Sequence, residues 1–382
     1  MFRFLTAGES HGPALSLIVD GMPAGVPVET RVIVHELSRR RLGYGRGPRM
    51  KLEKDELELL SGVRFGKSLG SPISLVIRNS EWSKWERVMS AEGKPAGNRL
   101  TEPRPGHADL AGLMKYGFDD ARDVLERASA RETAARTAVG ALAKSFLQQV
   151  GVEVISHVVS IGSAKISGSI SPTPSDLEGI DASQVRCFEE EASERMVEQI
   201  EAAGAAGDSL GGVVEVIVFG VVPGLGSYVQ WDRRLDARLA YALMSIPAIK
   251  GVELGDAFEV ASLRGTQAHD EIFFEDGQYL RHTDRAGGTE GGMSIGGTLR
   301  MRAAMKPLST LKSPLRTVDV ETKQATVAFR ERTDVCSVPA AAVVAEAVVA
   351  IVIADEMLRK FGADSLADIQ LSIEAYRNRI GS

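Results

Sequence analysis

The chain of 382 residues contains little cysteine and few aromatic residues, namely two cysteines and 5% Phe, Trp and Tyr. Cys187 and Cys336 stand far apart in sequence, and no Cys or His spacing typical of zinc occurs, so neither a disulfide framework nor a metal site is predicted. The apolar stretch at the N-terminus is too short for a signal peptide. We therefore expect a cytoplasmic location with both thiols reduced.

The sequence also lacks the glycine motifs that bind nucleotides. Residues 43–47 are not followed by the spacing of a dinucleotide fingerprint, and no G-x-x-x-x-G-K-[ST] run is present, so neither a Rossmann site nor a P-loop is predicted. Residues 8–12 fit the G-x-S-x-G spacing of a serine nucleophile, but Pro13 and a predicted strand follow where that motif requires a helix. The formal net charge of −6 argues against nucleic-acid binding, which needs a broad basic face.

No apolar run is long enough to predict a membrane span. The most apolar stretch, residues 338–354, contains Pro339 and Glu346 and falls short of the roughly 20 residues that a spanning helix needs. We expect this stretch to form a helix that is buried or faces another subunit. Because 44% of the residues are apolar and 25% are charged, the composition is that of a globular protein, and we predict a single domain over residues 1–382.

Strands and helices are mixed without regular alternation, which favours an α+β sandwich over a doubly wound parallel sheet. Residues 17–25 and 216–224 both consist of a predicted strand followed by Gly, Pro and Gly, which suggests two related halves. We predict helices at residues 30–41, 131–150, 192–203, 232–244 and 339–361, and strands at residues 15–20, 73–77, 152–156, 213–219, 297–304 and 325–329.

The start of the helix predicted at residue 131 has the features of an anion site. The first N–H groups of a helix lack internal partners and carry the positive end of its dipole, and Arg127 and Arg131 are expected to add charge. Arginines also concentrate in a glycine-rich loop and recur in other loops. Guanidinium groups suit phosphate and carboxylate, so these loops could converge on a multiply anionic ligand; a solvated basic face is the alternative. The basic residues concerned are Arg39, Arg40, Arg41, Arg46, Arg49, Arg104, Lys306 and Arg332.

Two histidines, His11 and His107, lie in turns flanked by glycine. A histidine titrates near neutral pH, so each could donate a proton to a departing phosphate or hold one beside an anionic cofactor; a role in stabilising the loop is the alternative. The glycines of residues 287–297 would let the main chain approach a flat ring closely, unless this segment is a mobile surface loop. Asp334 could orient a base or simply pair with Arg332.

Several of these motifs resemble those of chorismate synthases. The resemblance is carried by residues 8–12, 126–137 and 330–339, and it continues through residues 207–212 and 249–253 to the C-terminal helix. Such enzymes convert 5-enolpyruvylshikimate 3-phosphate to chorismate by 1,4-anti elimination of phosphate, the last step of the shikimate pathway that feeds aromatic amino acid synthesis. They require reduced FMN without net redox change. The resemblance implies a β-α-β sandwich and a homotetramer.

The resemblance also implies roles for individual residues. His11 would protonate the leaving phosphate, His107 would stabilise or protonate the reduced flavin, and Asp334 would assist flavin N5 as the C6 proton is removed. Arg40 and Arg46 would hold anions of the substrate or of NADP. The residues implied for FMN are Ser129, Ala130, Arg131, Pro247, Ala248, Gly291, Lys306, Pro307, Leu308, Ser309, Thr310 and Arg332.

Two alternative interpretations stay open on the sequence alone. One is an NADPH-dependent flavin reductase, and the other is a non-catalytic anion-binding protein. The source of reduced FMN, which could be NADPH or a separate flavin reductase, is also left open. No membrane or nucleic-acid partner is predicted.

Overall fold

The computed structural model describes residues 1–47, 56–168, 171–275, 277–331, 333–362 and 364–381. The strands of the first half are β1 (Arg3–Ala7), β2 (Ala14–Asp20), β3 (Glu56–Ser61), β4 (Val63–Arg64), β5 (Lys67–Ser68) and β6 (Ile73–Arg78). Its helices are α1 (Thr30–Arg41), α2 (Trp82–Trp85), α3 (Asp109–Tyr116), α4 (Arg122–Ala128) and α5 (Thr133–Gln148). Four of the strands form an antiparallel sheet in the order β1-β2-β6-β3.

The second half contains a five-stranded antiparallel sheet in the order β10-β15-β9-β7-β8. The strands of this half are β7 (Glu153–Ile161), β8 (Ala164–Lys165), β9 (Gly212–Val221), β10 (Ile249–Leu254), β11 (Phe273–Glu275), β12 (Gln278–Leu280), β13 (Thr289–Glu290), β14 (Met293–Ser294), β15 (Gly297–Met305), β16 (Arg316–Val318) and β17 (Ala325–Val327). Its helices are α6 (Leu177–Ala182), α7 (Glu190–Ala206), α8 (Leu235–Met244), α9 (Ala257–Val260), α10 (Gly265–Ala268), α11 (Val338–Phe361) and α12 (Leu366–Ile380).

The long helices lie between the two sheets. Helix α5 packs against α1 and β2 on one side and against α11 on the other, while α11 packs against β7 and β9. The result is the predicted α+β architecture, a sandwich of sheet, helices and sheet.

The two halves share one order of main elements. The first runs β1, β2, α1, β3, β6, α5, and the second runs β7, β9, α8, β10, β15, α11. Their sheets also match, since β1-β2-β6-β3 corresponds to β7-β9-β15-β10. The two similar sequence segments therefore occupy equivalent places, each at the end of the second strand of its half. This topology agrees with the prediction of two related halves.

Equivalent glycines make the same turn in each half. Gly21 and Gly220 have φ angles of 87° and 75°, and Gly25 and Gly224 have φ angles of 89° and 79°, a region that favours glycine. A Cβ on Gly21 would collide with the carbonyl oxygen of Met1, two residues before β1. A Cβ on Gly220 would likewise collide with the carbonyl oxygen of Gly151, two residues before β7. The repeated sequence pattern thus encodes a repeated backbone constraint.

Helix α11 forms the centre of the core. All its residues are buried except Arg359 and Lys360. Within the described ranges it is the one helix with the length and composition of a membrane span, and its burial accounts for that composition. It approaches α5 closely where Gly140 meets Ala347, because a Cβ on Gly140 would collide with the Cβ of Ala347.

The predicted elements differ from the observed ones mainly at their ends. The helix predicted at residues 131–150 begins as a 3-10 turn, Ala130–Glu132, before α5. The helix predicted at residues 232–244 likewise follows a 3-10 turn, Trp231–Arg233, and the strand predicted at residues 325–329 is shorter.

A buried ionic cluster joins α1, α5, β7 and α11. Arg39 Nη1 lies 2.7 Å from Glu346 Oε1 and 2.9 Å from Glu36 Oε2. Lys144 Nζ lies 2.8 Å from Glu36 Oε1 and 2.5 Å from Glu346 Oε1. Ser156 donates to the other oxygen of Glu346 at 2.7 Å. The carboxylate of Glu346, which has no exposed surface, is thereby bonded from both halves of the protein.

Asp181 and Arg186 complete this cluster and balance its charge. Asp181 accepts a hydrogen bond from Arg39 Nε at 2.7 Å and pairs with Arg186. The cluster then holds three acidic and three basic side chains. Burial opposes ionisation of Glu346, but Arg39 and Lys144 outweigh it and hold the pKa of this carboxyl below its usual value. Glu346 therefore carries its charge inside the protein, and removing one of its partners leaves a buried charge uncompensated.

Replacing Glu346 by Gln should destabilise the protein strongly. The substitution keeps the shape of the side chain but leaves three buried cations facing two carboxylates, which should cost about 3 kcal/mol in the free energy of unfolding. Urea unfolding at neutral pH measures this loss. As a control, Glu198→Gln on the exposed face of α7 should change stability by no more than about 0.5 kcal/mol. Equal losses in the two variants would contradict the assignment.

Candidate active site

A cavity of about 510 Å³ lies where corresponding segments of the two halves meet. The segments that follow α1 and α8 both reach it, and so do the segments that open α5 and α11. The turn between β1 and β2 and the loop before α3 close it on one side, and the chain after β15 closes it on another. The pseudo-symmetry of the fold therefore brings two helix starts to one site.

The cavity is positively charged although the protein is acidic. Among the described residues that line it, five are cationic, namely Arg40, Arg46, Arg104, Arg131 and Lys306, and two are acidic, namely Glu331 and Asp334. Arg40, Arg104 and Arg131 are buried to more than nine tenths. Charges in such partly desolvated positions attract anions more strongly than charges on an open surface.

The start of α5 lines the cavity as the sequence predicted. The side chain of Ser129 accepts a hydrogen bond from the backbone N–H of Arg131, and its Oγ lies 3.2 Å from Ser10 Oγ. Arg127, in contrast, does not line the cavity. Its guanidinium donates to the carbonyl oxygens of Gly8 and Thr6 at 3.0 Å each, so the expectation that it adds charge to the site was wrong. It instead fixes the chain that leads from β1 toward His11.

His11 is held by the carboxylate of Glu126. The backbone N–H of His11 donates to Oε2 at 2.8 Å, and its ring Nδ1 lies 2.9 Å from Oε1. Because burial of Glu126 is outweighed by its bonds to His11 and by Arg122, the pKa of this carboxyl is lowered. An ionised carboxylate only accepts hydrogen bonds, so Nδ1 carries a proton. The pair therefore orients the ring.

His107, in the loop before α3, forms a second histidine–carboxylate pair at the cavity. Its Nδ1 lies 2.5 Å from Asp109 Oδ1, and Arg104 Nε donates to Asp109 Oδ2 at 2.8 Å. Burial opposes ionisation of Asp109, but hydrogen bonds from His107 and Arg104 hold the pKa of this carboxyl well below its usual range. Arg104 also donates to Thr310 Oγ1 at 2.9 Å, and Lys306 donates to the carbonyl of Gly106. These hydrogen bonds hold the loop before α3 against residues 306–310 at the cavity.

Asp334 pairs with Arg46. Its Oδ2 lies 3.0 Å from Arg46 Nη1 and accepts a hydrogen bond from Ser337 at 2.8 Å, while Oδ1 accepts from the backbone N–H of Gly47 at 2.7 Å. The pairing partner considered from the sequence, Arg332, lies outside the described residues, as does Arg49 of the arginine-rich loop. Asp334 therefore fixes the end of that loop against the start of α11.

Most of the residues singled out from the sequence line this one cavity. Gly291 does not; it is exposed in the turn between β13 and β14. Arg39 also lies elsewhere, in the buried ionic cluster. The predicted residues that line the cavity are His11, Arg40, Arg46, Arg104, His107, Ser129, Ala130, Arg131, Pro247, Ala248, Lys306, Pro307, Leu308, Ser309, Thr310 and Asp334.

The carboxylate partners of the two histidines were not predicted from the sequence. Asp109 stands two residues after His107, and this short spacing was a usable signal. Glu126 lies 115 residues after His11, and nothing local connects the two. The contact of His11 with the ring of Trp85 was equally invisible.

Comparison with known proteins identifies the family. The family model for chorismate synthase matches residues 2–358. The chain belongs to the chorismate synthase family. The chorismate synthase of Leifsonia xyli subsp. xyli is 57% identical over all of this chain and 96% of its own length. That of Frankia alni is 58% identical over 98% of each chain.

A solved structure agrees with the sequence comparison. A crystal structure of chorismate synthase, 42% identical in sequence, superimposes with a TM-score of 0.81 and covers 99% of this chain and 98% of its own. The fold and the function are thus those of chorismate synthase: the protein is a carbon–oxygen lyase that forms chorismate from a phosphate ester in the shikimate pathway.

The cavity should bind inorganic phosphate through Arg131. Phosphate should raise Tm more than chloride of equal ionic strength, because a ligand that binds only the folded state stabilises it. Arg131→Gln should weaken phosphate binding about tenfold, since a charge-assisted hydrogen bond is lost. Tm measured against phosphate concentration gives the dissociation constants.

Arg136→Gln is the matched control, because Arg136 lies five residues further on, in α5, and pairs with Glu132 and Ser245, neither of which lines the cavity. Equal weakening by both substitutions would show that the phosphate binds elsewhere.

Proposed function

We propose that the cavity binds reduced FMN beside 5-enolpyruvylshikimate 3-phosphate, and that its two histidines hold the protons needed in the elimination. The observation that carries this proposal is the convergence of two histidine–carboxylate pairs and five cations on one cavity. A substrate with two carboxylates and a phosphate, together with a cofactor that has its own phosphate, requires such an excess of positive charge.

Arg40 and Arg46 are the proposed ligands of the substrate anions. Arg40 lies in the last turn of α1, where its neighbour Arg39 is fixed in the buried ionic cluster. Arg46 is oriented by Asp334 and Ser337. Both guanidinium groups are thus preorganised, which lowers the cost of ordering them around a ligand. The same residues are the expected contacts of NADP, should this nucleotide bind.

Several features of the cavity fit FMN. The start of α5, with Ser129, Ala130 and Arg131, suits the phosphate group. Pro247 offers a carbonyl and no N–H, and Ala248 has a φ of 70°, which is uncommon for a residue other than glycine and is typical of functional turns. The backbone N–H of Lys306 donates to Ala248 at 3.0 Å, so this turn is tied to the segment of residues 306–310. When bound, reduced FMN would supply transient electron density to the substrate.

The proposed proton transfers use the observed pairs. The C3–O bond of the substrate breaks with its electron pair on the departing phosphate, C6 loses a proton, and no net electrons are exchanged. His11, whose Nδ1 is bound to Glu126, donates the proton of Nε2 to the phosphate. His107, bound to Asp109, holds a proton beside the anionic cofactor. The C6 proton would pass to flavin N5 of the bound cofactor, and Asp334, which lies in the wall formed by the start of α11, would assist N5 in this transfer.

We also propose that the protein forms a homotetramer and is cytoplasmic. A homotetramer fits the exposed apolar side chains near α8, where Tyr228, Trp231 and Tyr241 each exceed 70% exposure. A cytoplasmic location fits the two free cysteines, Cys187 and Cys336, which are buried. Burial raises the pKa of each thiol to about 11, so neither is a reactive thiolate at neutral pH.

Replacing either histidine should abolish most of the turnover without loss of cofactor binding. His11→Ala and His107→Ala should each lower kcat by about 10²–10⁴-fold, the usual contribution of a proton-transfer residue. Turnover is measured anaerobically with photoreduced FMN and 5-enolpyruvylshikimate 3-phosphate, following chorismate absorbance and phosphate release together. Equimolar products with no net consumption of reduced FMN are expected from the unaltered protein.

The control is His35→Ala, since His35 is exposed on α1, away from the cavity. Near-normal turnover in both cavity variants would remove the histidines from the mechanism. Oxidation of NADPH by the protein with FMN and no substrate would show that the chain also reduces its own cofactor.

A further inference from the structure

We propose that Trp85 is a positioning residue for His11: its indole face fixes the plane of the imidazole while Glu126 fixes the Nδ1 edge. This inference rests on the proposed role of His11 as proton donor. Neither the sequence motifs nor the comparisons point to Trp85. Its assignment comes from the packing around His11.

The two rings are in direct contact. The centroids of His11 and Trp85 are 3.8 Å apart, and the ring planes are inclined by 30°, which is a stacked arrangement. Glu126 binds His11 at Nδ1 and at the backbone N–H, so it fixes one edge of the ring. A contact along one edge still permits the ring to rotate about that edge, because the χ2 torsion of histidine is broad. A flat surface against the ring face removes this remaining freedom.

Hydrogen bonds hold the segment that carries Trp85 beside the turn that carries His11. Asn79 links the two segments: its Nδ2 donates to the carbonyl of Gly12 at 2.9 Å, and its backbone N–H donates to the carbonyl of Pro13 at 3.0 Å. The backbone carbonyl of Asn79 then accepts from the N–H of Trp82, which begins helix α2. Trp85 is therefore attached through a short rigid segment to the turn that carries His11.

Arg122 contacts both Trp85 and Glu126. Its guanidinium carbon lies 5.4 Å from the centroid of the Trp85 ring, within cation–π distance, and its Nη1 lies 3.3 Å from Glu126 Oε1. One arginine thus supports both groups that hold the imidazole. Trp85, Glu126 and Arg122 form a frame around His11, and two of the three touch the ring directly.

The frame should matter most when His11 carries its proton. The face of an indole attracts a cation, and so does the carboxylate of Glu126. A fixed ring plane also fixes the direction of the Nε2–H bond. Proton transfer depends on such alignment.

The test compares an aromatic replacement of Trp85 with two non-aromatic replacements of roughly the same size as the aromatic one. Trp85→Leu removes the flat face and should lower kcat by about three- to tenfold, the range that one aromatic stacking contact supplies, with FMN affinity unchanged. Trp85→Phe keeps a flat face and should stay within about twofold of the unaltered protein. Trp85→Met repeats the non-aromatic substitution with a flexible side chain, in case the Leu variant is unstable.

Trp82→Leu is the matched control, since Trp82 lies on the same short helix and its backbone anchors α2 while its ring makes no described contact with His11. It should retain full kcat. Each variant is measured in the anaerobic assay with reduced FMN and 5-enolpyruvylshikimate 3-phosphate, and Tm and FMN affinity are measured in parallel.

A double-mutant cycle decides whether Trp85 acts through His11. In a His11→Ala background, Trp85→Leu should cause no further loss of kcat. Losses that multiply would show that Trp85 acts elsewhere and would overturn the inference. So would normal kcat in both non-aromatic variants when His11→Ala alone is severely impaired, and this outcome would leave the role of His11 standing. Normal turnover in His11→Ala would instead remove the proposed function of His11, and this inference with it.

Discussion

The structure depends on a single buried carboxylate. Glu346 lies at the centre of α11 and is bonded by Arg39 of α1, Lys144 of α5 and Ser156 of β7, so elements of both halves meet on its two oxygens. Ion pairs are more directional than the apolar contacts between these elements. Ion pairs of fixed geometry set their register. This register in turn determines the positions of the arginine side chains in the last turn of α1.

The arginines of α1 illustrate this dependence. Arg39 and Arg40 are adjacent, yet one enters the ionic cluster and the other lines the cavity. Successive residues of a helix point about 100° apart, so fixing one side chain in the core orients the next. The same principle operates at α11, where Glu346 anchors the middle of the helix and Ser337 and Ala340 form a wall of the cavity at its start.

The sequence contained enough to predict the fold class, the core helices and about half of the residues that line the cavity. Helix α1 was predicted at its observed bounds, since its apolar spacing and basic end are local signals. The two related halves could be predicted from the sequence because Gly21 and Gly220, which stand in the same sequence pattern, meet the same backbone requirement. Local signals did not separate the roles of Arg39, Arg40 and Arg127, because a run of arginines does not reveal which of them the core will bind. Glu126 and Trp85 were beyond prediction, since each meets His11 only through the tertiary fold.

The close approach of Gly140 to Ala347 bears on the shape of the cavity. Gly140 lies seven residues beyond the start of α5, which is about 10 Å along the helix, and Ala347 lies nine residues beyond the start of α11. Both helix starts are cavity walls. The absence of a side chain at Gly140 therefore sets the gap between two walls of the charged cavity. A residue that does not line the cavity thus helps to determine the size of ligand that the cavity accepts.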